Sequence, residues 1–434
     1  MKKASCVLLS TALLLLAYLL ASPQEGWAQQ SPNAVSGSPT GSRFVIHGEP
    51  EQEVAPSIAY NPQMQEYLVV WYNDLPGNDD IHAERVSRNG KLLRHPCVAC
   101  GPGADRRYPD VAYNSQRNEY LVVWVEEDAG GLSYVRAQRL DSQGNLLGSM
   151  ITLVGGPIGM LTSANPAVAY ASTPDKYLIV WEYEVNMPLN PVVISIVGQV
   201  VSGGGVLEGS AITISGDPGG EPRQQPDVAY NRHGNGHLVV WEQWDAGASR
   251  WTVYGRLVNG DGGTPFSPIW ISDYIVSCMA PAVAAIPTSP TPNKYLVVWE
   301  IGGSVDRDIF GRFVAEDGSL GPSDVHFQQG DGIDQSSPAI AGDELSQRYL
   351  VTWRHPEGAV YIPIHGRAVS STGGLLGDEA VFEGPAADRP AVAAGQVGSF
   401  LVAWQDKAPW ATNTDLYGQL WGNRTYLPLI KRKF

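Results

Sequence analysis

The chemistry this sequence offers is concentrated in carboxylates that stand just after a recurrent tryptophan. They fall in groups: Asp74, Asp79 and Asp80; Glu126, Glu127 and Asp128; Glu182 and Glu184; Glu242 and Asp245; Asp306 and Asp308. Trp244, Trp251 and Trp410, outside the recurrent set, lie in the same segments. An exposed indole beside carboxylates suits stacking on a sugar ring or contact with a cationic partner. The expected ligand-binding residues are therefore Trp244, Trp251, Trp410, Asp245, Asp79 and Asp80. Asn78, Asp79 and Asp80 also offer oxygens to a hard cation, but no D-x-D-x-D-G spacing occurs. No cofactor is expected, with Ca2+ at these residues as the alternative. Glycoside hydrolysis would need two carboxyl groups roughly 5–9.5 Å apart in a pocket, and sequence spacing does not reveal such a pair.

Other chemical signals are sparse. No HExxH, P-loop or G-x-S-x-G motif occurs, so no catalytic residue can be named. The eight histidines are scattered, and His82, His237 and His365 replace aromatic residues of a repeated framework. Cys97 and Cys100 form a CxxC beside His95. A tetrahedral zinc site needs four ligands, and no second CxxC or nearby histidine pair is present. The pair reads as a local disulfide, with free thiols or metal and redox chemistry as alternatives. Cys278 is left over.

The elements that must position these groups are repeats. YLVVW occurs at Tyr67–Trp71, Tyr120–Trp124 and Tyr295–Trp299, with variants ending at Trp181, Trp241, Trp353 and Trp404. The tryptophan spacings are 53, 57, 60, 58, 54 and 51 residues. A PxVAY-like string precedes each copy, beginning at Pro56, Pro109, Pro166, Pro226, Pro281, Pro338 and Pro390. An IYGR-like string follows, then a Gly-containing turn and a short apolar run such as Val325–Gln328. Each copy thus holds four strand candidates rich in Val, Ile, Tyr and Trp and bounded by turn residues. In YLVVW both alternating faces are apolar, which requires a sheet buried on both sides. Seven such sheets fit the blades of an all-β, seven-bladed β-propeller, with about four antiparallel strands per blade. The small residues of PxVAY suit the innermost strand, and its Pro sits at the strand start, where a missing N–H costs least.

The repeated Trp71, Trp124, Trp181, Trp241, Trp299, Trp353 and Trp404 read as structural. Each would bury roughly 150–250 Å², or at most about 4–6 kcal/mol at ~25 cal/mol per Å². The third position of the IYGR string is only Ala or Gly: Ala83, Ala137, Gly198, Gly255, Gly311, Gly366 and Gly418. A large neighbour is expected there, with the repeated Trp as occupant. The next column, Glu84, Gln138, Gln199, Arg256, Arg312, Arg367 and Gln419, is long and polar and reads as a hydrogen-bonded blade rim.

The succession P-x-V-A-Y, Y-L-V-V-W, I-Y-G-R and a Gly turn resembles repeats of secreted bacterial β-propeller proteins of mostly unassigned function. The resemblance covers residues 44 to about 430 and implies architecture, not activity. The WD40, kelch and sialidase Asp-box signatures are missing.

Lys2 and Lys3, the apolar run Val7–Ala21 and the small-residue site Gly26-Trp27-Ala28 read as a signal peptide over residues 1–28. Residues 29–42 read as a linker, 43–430 as one propeller and 431–434 as a tail. Arg43–His47 looks like a fourth strand without its own first three and is favoured over Thr425–Ile430 to complete the last blade. No later apolar run approaches a membrane span. With 43% hydrophobic residues, 48 Gly and 32 Pro the chain is neither disordered nor a helical bundle. A net charge of −15 disfavours nucleic acid as a partner. The expectation is a secreted monomeric binding or scaffold protein. It would recognise a glycan, peptide or surface protein outside the cell through loops on one face. The alternative is an extracellular carbohydrate-active enzyme, a glycoside hydrolase or polysaccharide lyase. A carboxylate pair in a concave site at the channel mouth would favour the enzyme; a shallow loop surface would favour binding.

Overall fold

Burial of YLVVW on both faces dictates the architecture. In the first copy Tyr67, Leu68, Val69, Val70 and Trp71 are all 0% exposed. The same five positions are shielded in the other six copies. The computed structural model describes residues 38–48, 52–75, 77–154, 165–185, 193–216, 221–289, 293–303, 306–328, 332–358, 361–396, 398–407 and 413–422. The described residues form seven antiparallel sheets arranged as a seven-bladed propeller. No described helix is long and apolar enough to cross a membrane.

Strands follow chain order across a blade. In the fourth blade they are Arg223–Asn231, Gly236–Asp245, Arg250–Asn259 and Ile269–Trp270. Each PxVAY strand packs against the PxVAY strand of the next blade, and the last packs against the first. That places these small residues innermost and closes the ring. In the first blade the outer strand is split into Leu92–Arg94 and Cys97–Ala99, both paired with Asp80–Ser87. Cys97 and Cys100 are joined in a disulfide, and Cys278 is buried and free.

The hydrophobic core is divided among the gaps between blades. Each gap joins the outer strand of one blade to the tryptophan of the next: Val98 with Trp124, Ile271 with Trp299, Ile46 with Trp71. The repeated Trp residues are at most 1% exposed.

The small column has a different occupant from the one expected. In register, Trp241 lies opposite Tyr254, and Gly255 lies opposite Val240. A strand alternates faces with period two, so the glycine points away from its own blade's Trp. A Cβ on Gly311 would come within 3.1 Å of Phe327, and one on Gly366 within 2.9 Å of Phe382. Those rings from the outer strand fill the space, and each lies 6.2 Å from the tryptophan of the following blade, Trp353 or Trp404. The polar column ties the third strand to its rim. Gln199 Nε2 donates to Glu208 O, Gln138 Nε2 to Leu147 O and Gln419 Nε2 to Gly41 O.

The seventh blade is completed by Ser38–His47, which pairs with Asp415–Gly422. The strand starts at Ser38, inside the segment expected to be linker, because Thr40 Oγ1 and Gly41 O both bond back to Leu420 and Gln419. Residues 1–37 and Thr425–Ile430 lie outside the described residues.

Candidate functional site

The residue before the repeated proline has positive φ in every blade: Ala55, Tyr108, Asn165, Gln225, Ala280, Ser337 and Arg389, between 34° and 55°. Non-glycine residues seldom adopt this conformation. In six blades the ladder slips at this point, for example between Gln224 and Asp227, so the inner strand bulges there. The bulge turns a backbone N–H toward the preceding blade. Four of these donors meet the side chain that directly follows the preceding blade's repeated Trp. Ala55 N donates to Gln405 Oε1 at 3.1 Å and Gln225 N to Glu182 Oε1 at 2.8 Å. Ala280 N donates to Glu242 Oε2 at 2.7 Å and Ser337 N to Glu300 Oε1 at 2.6 Å. Four of the seven gaps between blades are therefore latched at one end of the channel.

Three of the acceptors are buried glutamates on consecutive blades, 5%, 1% and 4% exposed for Glu182, Glu242 and Glu300. Burial raises all three above the usual carboxylate range, Glu182 to about 7. Deeper along the inner strands, Asp110 accepts from Ser57 Oγ at 2.6 Å and Val168 N at 2.8 Å. Asp227 accepts from Val283 N at 2.7 Å, and burial raises it to about 7. Both carboxylates stitch one inner strand to the next.

Above the latches lies an open cavity of about 710 Å³. Its wall includes Tyr108, Gln224, Glu242, Trp251, Glu300 and Arg307. Arg307 forks onto Asp334 at 2.7 and 2.9 Å and reaches Glu300 at 2.5 Å. Gln224 Nε2 donates to Glu242 Oε1 at 2.7 Å. Both oxygens of Glu242 and of Glu300 are thus engaged by protein donors.

The sequence-expected ligand residues divide. Trp244 and Trp251 face each other across the hairpin of the fourth blade, edge to face at 5.5 Å. Trp251 lines the cavity. Asp245 caps the hairpin turn by accepting from Ala248 N. Asp79 and Asp80 do not line the cavity. Asp79 is fully buried, accepting from Leu75 N and Arg107, and Asp80 accepts from Gly101 N and Arg106. Trp410 lies outside the described residues. Glu300, which no motif singled out, is one of the latch acceptors. The recurrence of a polar side chain after the repeated Trp was the available signal.

Histidines scattered in sequence meet in space. His47, His82 and His95 gather around Trp71, with His82 Nδ1 and His95 Nε2 2.9 Å apart. Asp80, His82 and Cys100 present ligand atoms within 4.8 Å of one another, but the Cys100 sulfur is committed to the disulfide. Burial lowers His95 to about 4. In the sixth blade the ligand atoms of His355, His365 and Glu379 likewise lie within 4.8 Å of one another.

No family model matches this chain, and no curated protein matches it. Solved structures do resemble it. A protein of unknown function from Dyadobacter fermentans aligns with a TM-score of 0.51 at 12% identity, over 74% of this chain and 96% of its own. An alpha-L-arabinanase from Penicillium chrysogenum, solved with arabinobiose, aligns with a TM-score of 0.51 at 12% identity, over 88% and 98%. These likenesses concern the propeller fold.

Proposed function

We propose that this chain is an exported binding propeller that takes a neutral, polyhydroxylated ligand, a glycan segment, in the cavity at the channel mouth. The observation carrying this reading is the wall of that cavity. Trp251 and Tyr108 supply aromatic surface to it, and Gln224 and Arg307 carry N–H groups beyond those given to Glu242, Glu300 and Asp334. The nearby acids already have partners, so little uncompensated charge remains to select a cation, despite the net charge of −15. Apolar stacking with a few fixed polar groups is how concave sites orient small ligands.

A second reading, a glycoside hydrolase or polysaccharide lyase, draws on the presence of Glu242 and Glu300 in one cavity with raised affinity for protons. Their engagement with backbone N–H groups, Gln224 and Arg307 argues for latches rather than for proton donors to substrate. The test is a glycan array on purified protein, followed by titration of a bound glycan. Trp251→Ala should weaken binding about 3–10-fold, a stacking contribution of ~0.5–1.5 kcal/mol. Unchanged affinity in a folded variant would move the ligand away from the mouth. Release of reducing ends, lost in Glu242→Gln, would favour the enzyme.

A further inference from the structure

The sixth blade places four ionisable side chains around one point. His365 lies on the third strand, Ile364–Ser370, in register with Trp353 on one side and Val381 on the other. Glu379 lies two residues before Val381, where the ladder slips between Gly366 and Ala368. His355 is two residues beyond Trp353, and His355 N continues the ladder by donating to Pro363 O. The His355 and His365 rings stack at 3.9 Å, inclined by 19°. Glu357, two residues further on, reaches His365 Nε2 with Oε1 at 3.0 Å. Glu379 Oε1 contacts His365 Nδ1. Both histidines are buried, 5% and 6% exposed.

The protons impose a constraint. A neutral imidazole carries one N–H. If Nε2–H donates to Glu357, the Nδ1 lone pair faces a carboxylate oxygen. That contact is repulsive unless positive charge resides there. Ligand atoms of His355, His365 and Glu379 all lie within 4.8 Å of one another. Imidazole lone pairs lie in the ring plane, so one cation about 2.0–2.2 Å from each would join all three once His355 turns out of its near-parallel stack on His365. Glu357 then plays the part of the outer carboxylate that fixes the tautomer of a metal-bound histidine.

We propose that His355, His365 and Glu379 form a site for a first-row divalent cation, zinc being the closest match, with Glu357 orienting His365. Two imidazoles and one carboxylate leave a fourth tetrahedral position open to water or a ligand. The site is independent of the channel-mouth reading, since none of these residues lines that cavity.

The experiment strips the full chain with EDTA, dialyses it and titrates it with ZnCl2, reading heat and protein-bound zinc. Wild type should bind one equivalent at this site. His365→Ala and Glu379→Gln should each remove that equivalent, while His82→Ala, which alters the histidine group of the first blade, should keep it. Glu357→Gln should retain the stoichiometry and weaken affinity about 10–100-fold. Thermal melting without zinc establishes that each variant is folded. The more exposed Glu379→Gln serves if His365→Ala does not fold. No bound zinc in wild type, or undiminished zinc in folded Glu379→Gln, would overturn the proposal.

Discussion

The Glu300 carboxylate accepts a 2.6 Å hydrogen bond from the backbone N–H of Ser337, across the gap between the fifth and sixth blades. The same relation joins Glu242 to Ala280 and Glu182 to Gln225. Glu300→Ala would leave that N–H and Arg307 short of an acceptor. The expected cost is about 1–3 kcal/mol in urea denaturation. Glu300→Gln, whose Oε1 can still accept, should recover part of it. An alanine variant as stable as wild type would show that the latch contributes nothing net.

Gly311→Val should destabilise by about 1–3 kcal/mol through overpacking. The Cβ alone would lie 3.1 Å from the Phe327 ring and 3.1 Å from the Val297 carbonyl oxygen, before the valine methyls are added. Phe327→Ala in the same chain should relieve part of the clash. The readout is a double-mutant cycle of melting or denaturation, and strict additivity would rule out the contact.

Glu182 adds a pH dependence. Its carboxyl is raised to about 7 by burial, above an unfolded value near 4.5. Between these values the folded state binds more protons, so this group's contribution to stability falls as pH rises. At ~1.4 kcal/mol per pH unit the bound on the loss is about 3 kcal/mol. Glu182→Gln keeps an acceptor for Asn165 and Gln225 but cannot ionise. The variant should gain stability over wild type at pH 8 and gain little at pH 4.5. Parallel stability curves for the two proteins would refute the assignment.

Removing Ser38–His47 should uncover the third strand of the seventh blade. Ile46, 2% exposed, would be lost from the core, and buried Asp406 would lose its partner Arg43, now 2.8 Å away. The variant is expected to melt earlier and to associate with rising concentration, because an unpaired edge recruits other strands. Light scattering after size-exclusion chromatography reads this directly. A monomer of unchanged stability would show that the seventh blade does not need its fourth strand.

The fold was legible because the repeat speaks twice. Alternation within YLVVW specifies a strand buried on both faces, and its recurrence specifies how many. What spacing could not convey is which face meets which neighbour. The offset of one residue between Trp241 and Gly255 sends them to opposite sides, so the partner of the glycine column comes from the outer strand. The site was less legible for a similar reason. Trp251 was visible as an aromatic outside the pattern, but Gln224 meets Glu242, and Arg307 meets Glu300, only through hairpin register within their own blades. His355, His365 and Glu379 lie ten and then fourteen residues apart, and hairpin register alone unites them.

The closure of the ring by Ser38–His47 also sets an order of events for a growing chain. Thr40 bonds Leu420 across 380 residues. At roughly 5–20 residues per second, the ribosome delivers that partner on the order of 20–80 s after Thr40 itself. Six blades can assemble in turn as they emerge, each against a predecessor. The first strand cannot join them. It waits as an unpaired edge until the final residues of the seventh blade arrive, so the last act of folding returns to the beginning of the propeller. The interval before that act is when one nascent copy is most open to pairing with another.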